Sequence, residues 1–587
     1  MTMNLKSLSR RGAMALAAAA LLAAGTARAQ DAGTDDPHFD AFSESAYPRA
    51  SQCAACHRQI YDEWRGSSHA YAAVSPVFHK FEQAINTLAP TIGAFCVRCH
   101  ISTGTAMDEP REMPIWERAQ VSREGVTCVT CHRVDENFGK VNGERRIVPG
   151  DIHQPVFGNE GGPDLGDVVE NASAYKVATS EEERGVKIHT KAIKFPQINK
   201  SEFCATCHQV AINLGIKLEV VWDQFRNSPA FRDGVTCQQC HMSDTPGVVS
   251  PLSRSPAAII AGEEIGDGRP HHNHGFVGPG YPIAHPGIFP HNADAENWTP
   301  EEWLRFDYRS GWGDEDWEAE YEEAVDAGER EEIEFPEVWE DSFDREEARV
   351  VVEDNLAKNE EKREHRRQVM EAGSKTDGPF FDGASATGRD LEFHYTVTNI
   401  NPGHNLPSGS LGAQPELWLN VALIDPDGNR VWESGYVDSQ GDMADLHSAD
   451  VRAGTLARDD QLFNLQSKFL TMNVKGTDRE MYLPVQFDID QLPMLRPAAQ
   501  PVSVMNHPPF VRMEGRSIPP LGSRDANYVV PGELINRPGT WRLAVRMRSR
   551  AEPIYFMRFI GATEEMIRAM NEGMLDIHPY TVEFEVN

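Results

Sequence analysis

No cysteine in this 587-residue chain stands apart: all ten fall into five copies of Cys-x-x-Cys-His, so none is left for another purpose. Basic residues are scarce, 56 Lys and Arg against 89 Asp and Glu, for a formal net charge of −33. A field of that sign repels nucleic acid and anionic membranes and favours basic partners. Long apolar runs are missing beyond the N-terminus, which excludes a transmembrane helix of about 20 apolar residues. No cysteine precedes Cys53, so a lipid anchor near the N-terminus is not expected.

The five copies are Cys53-Ala-Ala-Cys56-His57, Cys96-Val-Arg-Cys99-His100, Cys128-Val-Thr-Cys131-His132, Cys204-Ala-Thr-Cys207-His208 and Cys237-Gln-Gln-Cys240-His241. Two thiols three residues apart lie on one helical turn and can form thioethers to both vinyl groups of a haem. The histidine that follows then reaches the iron as proximal ligand. Disulfides and paired Cys-x-x-Cys zinc sites are the competing readings, and neither requires a histidine after every second cysteine. The motifs therefore predict five covalently bound c-type haems with iron.

Covalent haem attachment takes place outside the cytoplasm, and the N-terminus reads as an export signal. Lys6, Arg10 and Arg11 form its basic region, Ala13 to Ala24 its apolar region, and Ala27-Arg28-Ala29 its cleavage site. Residues 1–29 are thus expected to be removed and the mature chain to be periplasmic. Cleavage removes four basic residues and no acid, leaving the rest more negative still.

Residues 30–295 read as a pentahaem cytochrome c domain. Its motifs are so closely spaced that the haems must supply the core. An internal repeat organises it: Phe95-Cys96 is followed by Gly125-Val126-Thr127-Cys128, and Phe203-Cys204 by Gly234-Val235-Thr236-Cys237. Short helices with Pro- and Gly-rich loops fit the intervening sequence better than strands. Distal iron ligands are expected among the remaining histidines, His69, His189 and His274 first, then His79, His153, His285 and His404.

The string Cys-x-x-Cys-His, Trp64, Ser68-His69-Ala70, Phe-Cys-x-x-Cys-His, Gly-Val-Thr-Cys-x-x-Cys-His and Cys240-His241-Met242 resembles the multihaem c-type cytochromes related to cytochrome c554, over about residues 50–290. The resemblance implies stacked haem pairs, mostly with two His ligands per iron and in some members one five-coordinate iron. Two departures stand out. There are five motifs where the name-giving cytochrome has four, and Phe225-Arg226-Asn227-Ser228-Pro229-Ala230 repeats the Trp64–His69 stretch with Ala230 in the place of His69. Either one haem lacks its distal ligand there or another histidine takes its place.

Residues 296–379 form a charged helical segment, with a long helix from Asp344 carrying Ala348, Val351, Val352 and Leu356 on one face. It is expected to cover the haem domain, with its acidic run facing solvent. From about Arg389 the period becomes two: Leu391, Phe393, Tyr395 and Val397, then Leu417, Leu419, Val421 and Leu423, a turn at Asp425–Gly428 into Val431 and Trp432, and later Trp541 to Met547 and Val582 to Val586. Residues 380–587 are read as a β-sandwich. The fold class is multidomain: a mainly α, haem-packed cytochrome domain followed by this sandwich. No metal cluster, nucleophile triad or phosphate loop marks the sandwich, but Gly403-His404-Asn405-Leu406-Pro407-Ser408-Gly409 resembles a segment of β-domains attached to multihaem cytochromes.

Closely packed haems pass single electrons, so a periplasmic electron-transfer cytochrome is expected, working with redox proteins such as basic electron carriers or a membrane quinol dehydrogenase. Two alternatives remain: an oxidoreductase with one open iron acting on a small nitrogen or sulfur compound, and a haem-wired docking subunit of a respiratory complex. Catalytic relatives usually carry a Lys-ligated or cross-linked haem, and no Cys-x-x-Cys-Lys is present.

Overall fold

Each Cys-x-x-Cys-His copy closes one helical turn. The computed structural model describes residues 46–88, 93–136, 141–211, 217–219, 221–409, 415–445, 447–466, 468–472, 480–483, 511–514 and 516–587; the expected export signal lies outside them. The motifs start or sit on the short helices Ala50–Ala54, Val97–His100, Cys128–His132, Ser201–Ala205 and Cys237–His241. The His57, His100 and His208 amides donate to the carbonyls of Cys53, Cys96 and Cys204 at 2.9, 3.3 and 3.1 Å. That i to i+4 bond stacks the first cysteine and the histidine of a motif one turn apart.

The internal repeat is equally plain in the backbone. Ser67 and Ser228 cap the helices Ser68–Tyr71 and Pro229–Arg232, accepting from the Ala70 and Phe231 amides. Gly125 and Gly234 then adopt φ of +68° and +79° ahead of Val-Thr-Cys, a left-handed turn that glycine makes without cost. The following Val126 and Val235 amides donate to the His69 and Ala230 carbonyls, both at 3.0 Å. At Gly125 a Cβ would lie 2.5 Å from the His69 carbonyl oxygen.

Apolar packing in the motif region is divided among small clusters. One joins Ala50, Tyr61, Trp64, Ala70 and Phe289, another Ala73, Phe78, Val97 and Ile101, and a third Val134, Phe195 and Phe203. Motif cysteines border them: Cys128, Cys96 and Cys131 respectively. Next in the chain comes a separate aromatic cluster of Trp303, Phe306, Trp312 and Trp339 against Ala348, Val351 and Val352.

Those last three lie on a 32-residue helix, Ser342–Gly373, started by Asp341 accepting from the Phe343 amide. Leu356 is 40% exposed rather than on the buried face; the inward row continues instead through Asn355, Lys362, Arg366 and Met370. Those polar residues replace apolar packing with hydrogen bonds to loops. Asn355 donates to the carbonyls of Pro286 and Pro290, Lys362 to the Gly66 carbonyl and Ser68 hydroxyl, and Arg366 to Pro279 and Gly573. The helix thereby ties the motif region to the C-terminal strands.

The first C-terminal strand starts directly at the helix end, at Ser374 rather than 380. An antiparallel sheet of three strands, Ser374–Phe381, Leu391–Asn399 and Ser523–Val530, accompanies one of four, ordered Arg430–Ser434, Glu416–Ile424, Gly539–Arg550 and Leu575–Val586. Alternate side chains of both, including Phe393, Tyr395, Tyr528, Leu419, Trp541 and Val545, meet in one apolar cluster. A further small sheet joins Lys468–Met472, Glu480–Leu483 and Val511–Glu514. No helix of the described residues is long and apolar enough to cross a membrane.

Candidate haem-binding site

All ten cysteines are unpaired, and none forms a disulfide. Among the described residues no group of three or more His, Cys, Asp and Glu is gathered as a metal site, so the paired thiols do not build a zinc tetrahedron. The motif histidines are instead set against other histidines. His57 faces His189 with ring centroids 6.3 Å apart, His132 faces His274 at 6.4 Å, His208 faces His69 at 6.2 Å, and His241 faces His404 at 6.4 Å.

That narrow range has a simple physical reading. Rings in direct face contact sit closer together. Two imidazoles sharing one metal, each nitrogen about 2 Å from it, place their centroids roughly 6 Å apart once the ring half-widths are added. The four pairs therefore fit an iron held between them.

Tautomers point the same way. The Nδ1 atoms of His100, His132 and His241 lie 3.3, 2.8 and 3.3 Å from the carbonyls of Ala72, Phe157 and Val277. A carbonyl can only accept, so Nδ1 carries the proton and Nε2 keeps a free lone pair, the arrangement metal-binding histidines use. Burial holds these rings neutral: His57, His189, His241 and the partner His274 and His69 are pushed down to about 4, 4, 4, 3 and 3. His100, His132, His208 and His404 are lowered for the same reason. A neutral imidazole is the ligating form.

His404 arrives from the C-terminal region. The loop that carries it packs on the repeat position where Ala230 replaces His69: the Ala230 amide donates to the Pro402 carbonyl at 3.1 Å, and Ser408 donates to Gln224 at 2.8 Å. The missing ligand of the second half is thus matched by a histidine from outside the repeat. His79, His153 and His285 face no motif histidine. The His79 ring binds the Ala73 carbonyl, His153 lies between the Ile188 carbonyl and Glu181, and both nitrogens of His285 are engaged, by the Phe306 carbonyl and the Gly287 amide.

The second motif differs from the other four. Among the described residues no imidazole faces His100; Phe78 lies flat on its ring, with centroids 4.3 Å apart and planes at 7°. The sequence left two readings at Ala230, an iron without its distal ligand or a substitute histidine; the His404 loop packs there, and among the described residues it is His100 that has no imidazole opposite it. Phe78 carried no signal, being one of several apolar residues in the amphipathic helix Pro76–Leu88.

The motifs also touch one another. Cys53 meets Cys128, Cys99 meets Cys207, and Cys204 meets Cys237 through their thiols. The first and third motifs, the second and fourth, and the fourth and fifth are therefore neighbours.

The family model of cytochrome c554 and c-prime matches residues 52–133. This supports a c-type cytochrome. The matched stretch contains the first three motifs whole, with His69 between the first and the second. The match supports covalently bound haem c and a part in electron transfer. No curated protein matches the chain. Among solved structures, a Pseudomonas fluorescens alkylpurine DNA glycosylase AlkC bound to DNA containing an abasic site analog aligns at 11% identity and a TM-score of 0.13, over 46% of this chain and 43% of that one. At that score the likeness carries no argument.

Proposed function

We propose that this protein is an exported, periplasmic pentahaem c-type cytochrome that passes single electrons between redox partners. The observation that carries the reading is the set of four opposed histidine pairs at 6.2–6.4 Å, each with one member from a Cys-x-x-Cys-His motif. Cys53 and Cys56, Cys96 and Cys99, Cys128 and Cys131, Cys204 and Cys207, and Cys237 and Cys240 attach the haems, with His57, His100, His132, His208 and His241 as proximal ligands. His189, His274, His69 and His404 are the distal ligands of the first, third, fourth and fifth haems. Axial imidazoles on both sides make low-spin iron suited to electron transfer rather than substrate binding.

The small, divided apolar clusters of the motif region accord with a domain whose core is completed by cofactors. The C-terminal region is read as a β-sandwich that serves that domain by supplying His404. Basic electron carriers or a quinol dehydrogenase are the partners that the strong negative charge favours.

The second motif supports a further role. Among the described residues no imidazole lies opposite His100, so the second haem is where a small ligand such as nitric oxide or nitrite would reach iron, and the oxidoreductase reading rests there. Pyridine haemochrome analysis and intact mass of the exported protein are expected to give five haems per chain. Low-temperature EPR is expected to show four low-spin ferric haems and one high-spin haem that responds to cyanide or nitric oxide. Fewer than five haems would refute the attachment sites, and five low-spin haems indifferent to ligand would leave electron transfer alone.

A further inference from the structure

Arg145 reaches into the place where three motifs meet. Its Nη2 lies 3.1 Å from Cys207 Sγ of the fourth motif, and its Nη1 donates at 3.2 Å to the Thr130 carbonyl inside the third. The guanidinium sits 5.3 Å over the ring of Phe203, immediately before the fourth motif. Cys207, Cys131 and Cys99, from motifs four, three and two, all lie within electrostatic reach of it. No carboxylate of the described residues lies within ion-pair distance of it; the neighbouring Glu144 is 3.9 Å from Arg98 instead.

The backbone around it is fixed by the same motifs. The Asn142 and Gly143 amides donate to the Gln209 and Thr206 carbonyls at 3.1 and 2.8 Å. Gly143, at φ +70°, runs so close to the second motif that a Cβ there would lie 2.9 Å from Cys99 Sγ. The segment is a strap threaded between the three motifs, with Arg145 as its inward side chain.

Thioether formation makes those sulfurs uncharged, which leaves the guanidinium facing neutral sulfur, a carbonyl and an aromatic face. Once attached through these sulfurs, each haem would have its vinyl edge here and its propionates on the opposite edge, so its own carboxylates would lie away from Arg145. Taking up an electron converts Fe(III) to Fe(II) and lowers the charge of a haem by one. A fixed, unneutralised cation nearby favours that reduced form.

We propose that Arg145 is the charge that raises the reduction potentials of the haems at this junction, the fourth most of all, and so makes the fourth haem the point where electrons from the second, third and fifth converge. The fourth haem's axial pair, His69 and His208, both lie within electrostatic reach of Arg145. The inference rests on the haem assignment above, and the test separates the two.

Wild type, Arg145→Gln and Arg145→Lys are titrated spectroelectrochemically, after pyridine haemochrome has counted their haems. Removing the charge is expected to shift at least one one-electron equilibrium about tenfold towards the oxidised form, which is 59 mV lower. The lysine variant is expected to keep most of the wild-type potential. A purely structural strap would lower the melting temperature in both variants and leave the potentials in place, which overturns the proposal, as does an upward shift in Arg145→Gln. A wild type with fewer than five haems would sink the haem assignment itself. If only Arg145→Gln fails to load, Glu144→Gln decides: loss of the adjacent negative charge is expected to raise the same potentials, and an unchanged titration overturns the proposal.

Discussion

At the scale of single residues, His404 and Glu124 do the most specific work. His404 faces His241 at 6.4 Å from outside the motif region, so replacing it with alanine is expected to leave five haems attached while one low-spin signal turns high-spin in EPR. Equivalent changes at His79, His153 or His285 are expected to leave the spin states alone, since their rings are held by carbonyls and a carboxylate. Glu124 accepts from the Ala50 amide with both carboxylate oxygens at 3.0 Å and from the Thr127 hydroxyl at 2.7 Å, joining the approaches to the first and third motifs. Burial raises its pKa from 4.5 to about 7. Between those values the folded state holds the proton more tightly than the unfolded chain. The stability this confers is complete below about pH 4.5 and is lost as pH rises through 7, at most about 3 kcal/mol. Thermal melts across that window are expected to fall more steeply for wild type than for Glu124→Gln.

At the scale of elements, the glycine turns of the repeat set ligand geometry. Alanine at Gly125 must adopt a left-handed conformation, costing roughly 1–2 kcal/mol, with its Cβ against the His69 carbonyl. A lower melting temperature and a weakened low-spin signal from the haem facing His69 are expected, whereas Gly234→Ala, with open space around its Cβ, carries the conformational cost alone.

What the sequence reveals and hides divides along the same line. Strict spacing exposes the cysteines and proximal histidines, and strand alternation exposes Leu391–Val397 and Leu417–Leu423, because those patterns are local and periodic. His189 and His274 stood out among the histidines outside the motifs because one precedes the fourth motif and the other follows the fifth in a Gly-rich stretch. His285 and His404 looked alike as loop histidines, and only the tertiary path separates one facing Phe306 from one facing His241. Arg145 left no trace, since a lone cation in a loop has no period. Leu356 misled because the long helix swaps apolar for polar contacts midway, at Asn355 and Lys362.

At the scale of the whole molecule, the net charge of −33 is expected to govern encounter rates with charged partners. Electron exchange with a small basic carrier, followed by stopped-flow, is expected to slow steeply as ionic strength rises from 0.01 to 0.15 M, where the screening length shrinks from about 30 to about 8 Å. An acidic carrier of similar potential is expected to react slowly at low salt and to gain as salt is added. A flat salt response to both would show that docking does not use the field.

The route taken by His404 also has a consequence in time. Its partner His241 is made 163 residues earlier, and on the proposed export the chain is delivered N-terminus first. On the proposed ligation, the fifth iron waits with one face bare until the final strands have paired. A chain truncated or stalled before that point would display a reactive, peroxide-accepting haem. Capture of His404 would then serve as the seal that marks a finished molecule.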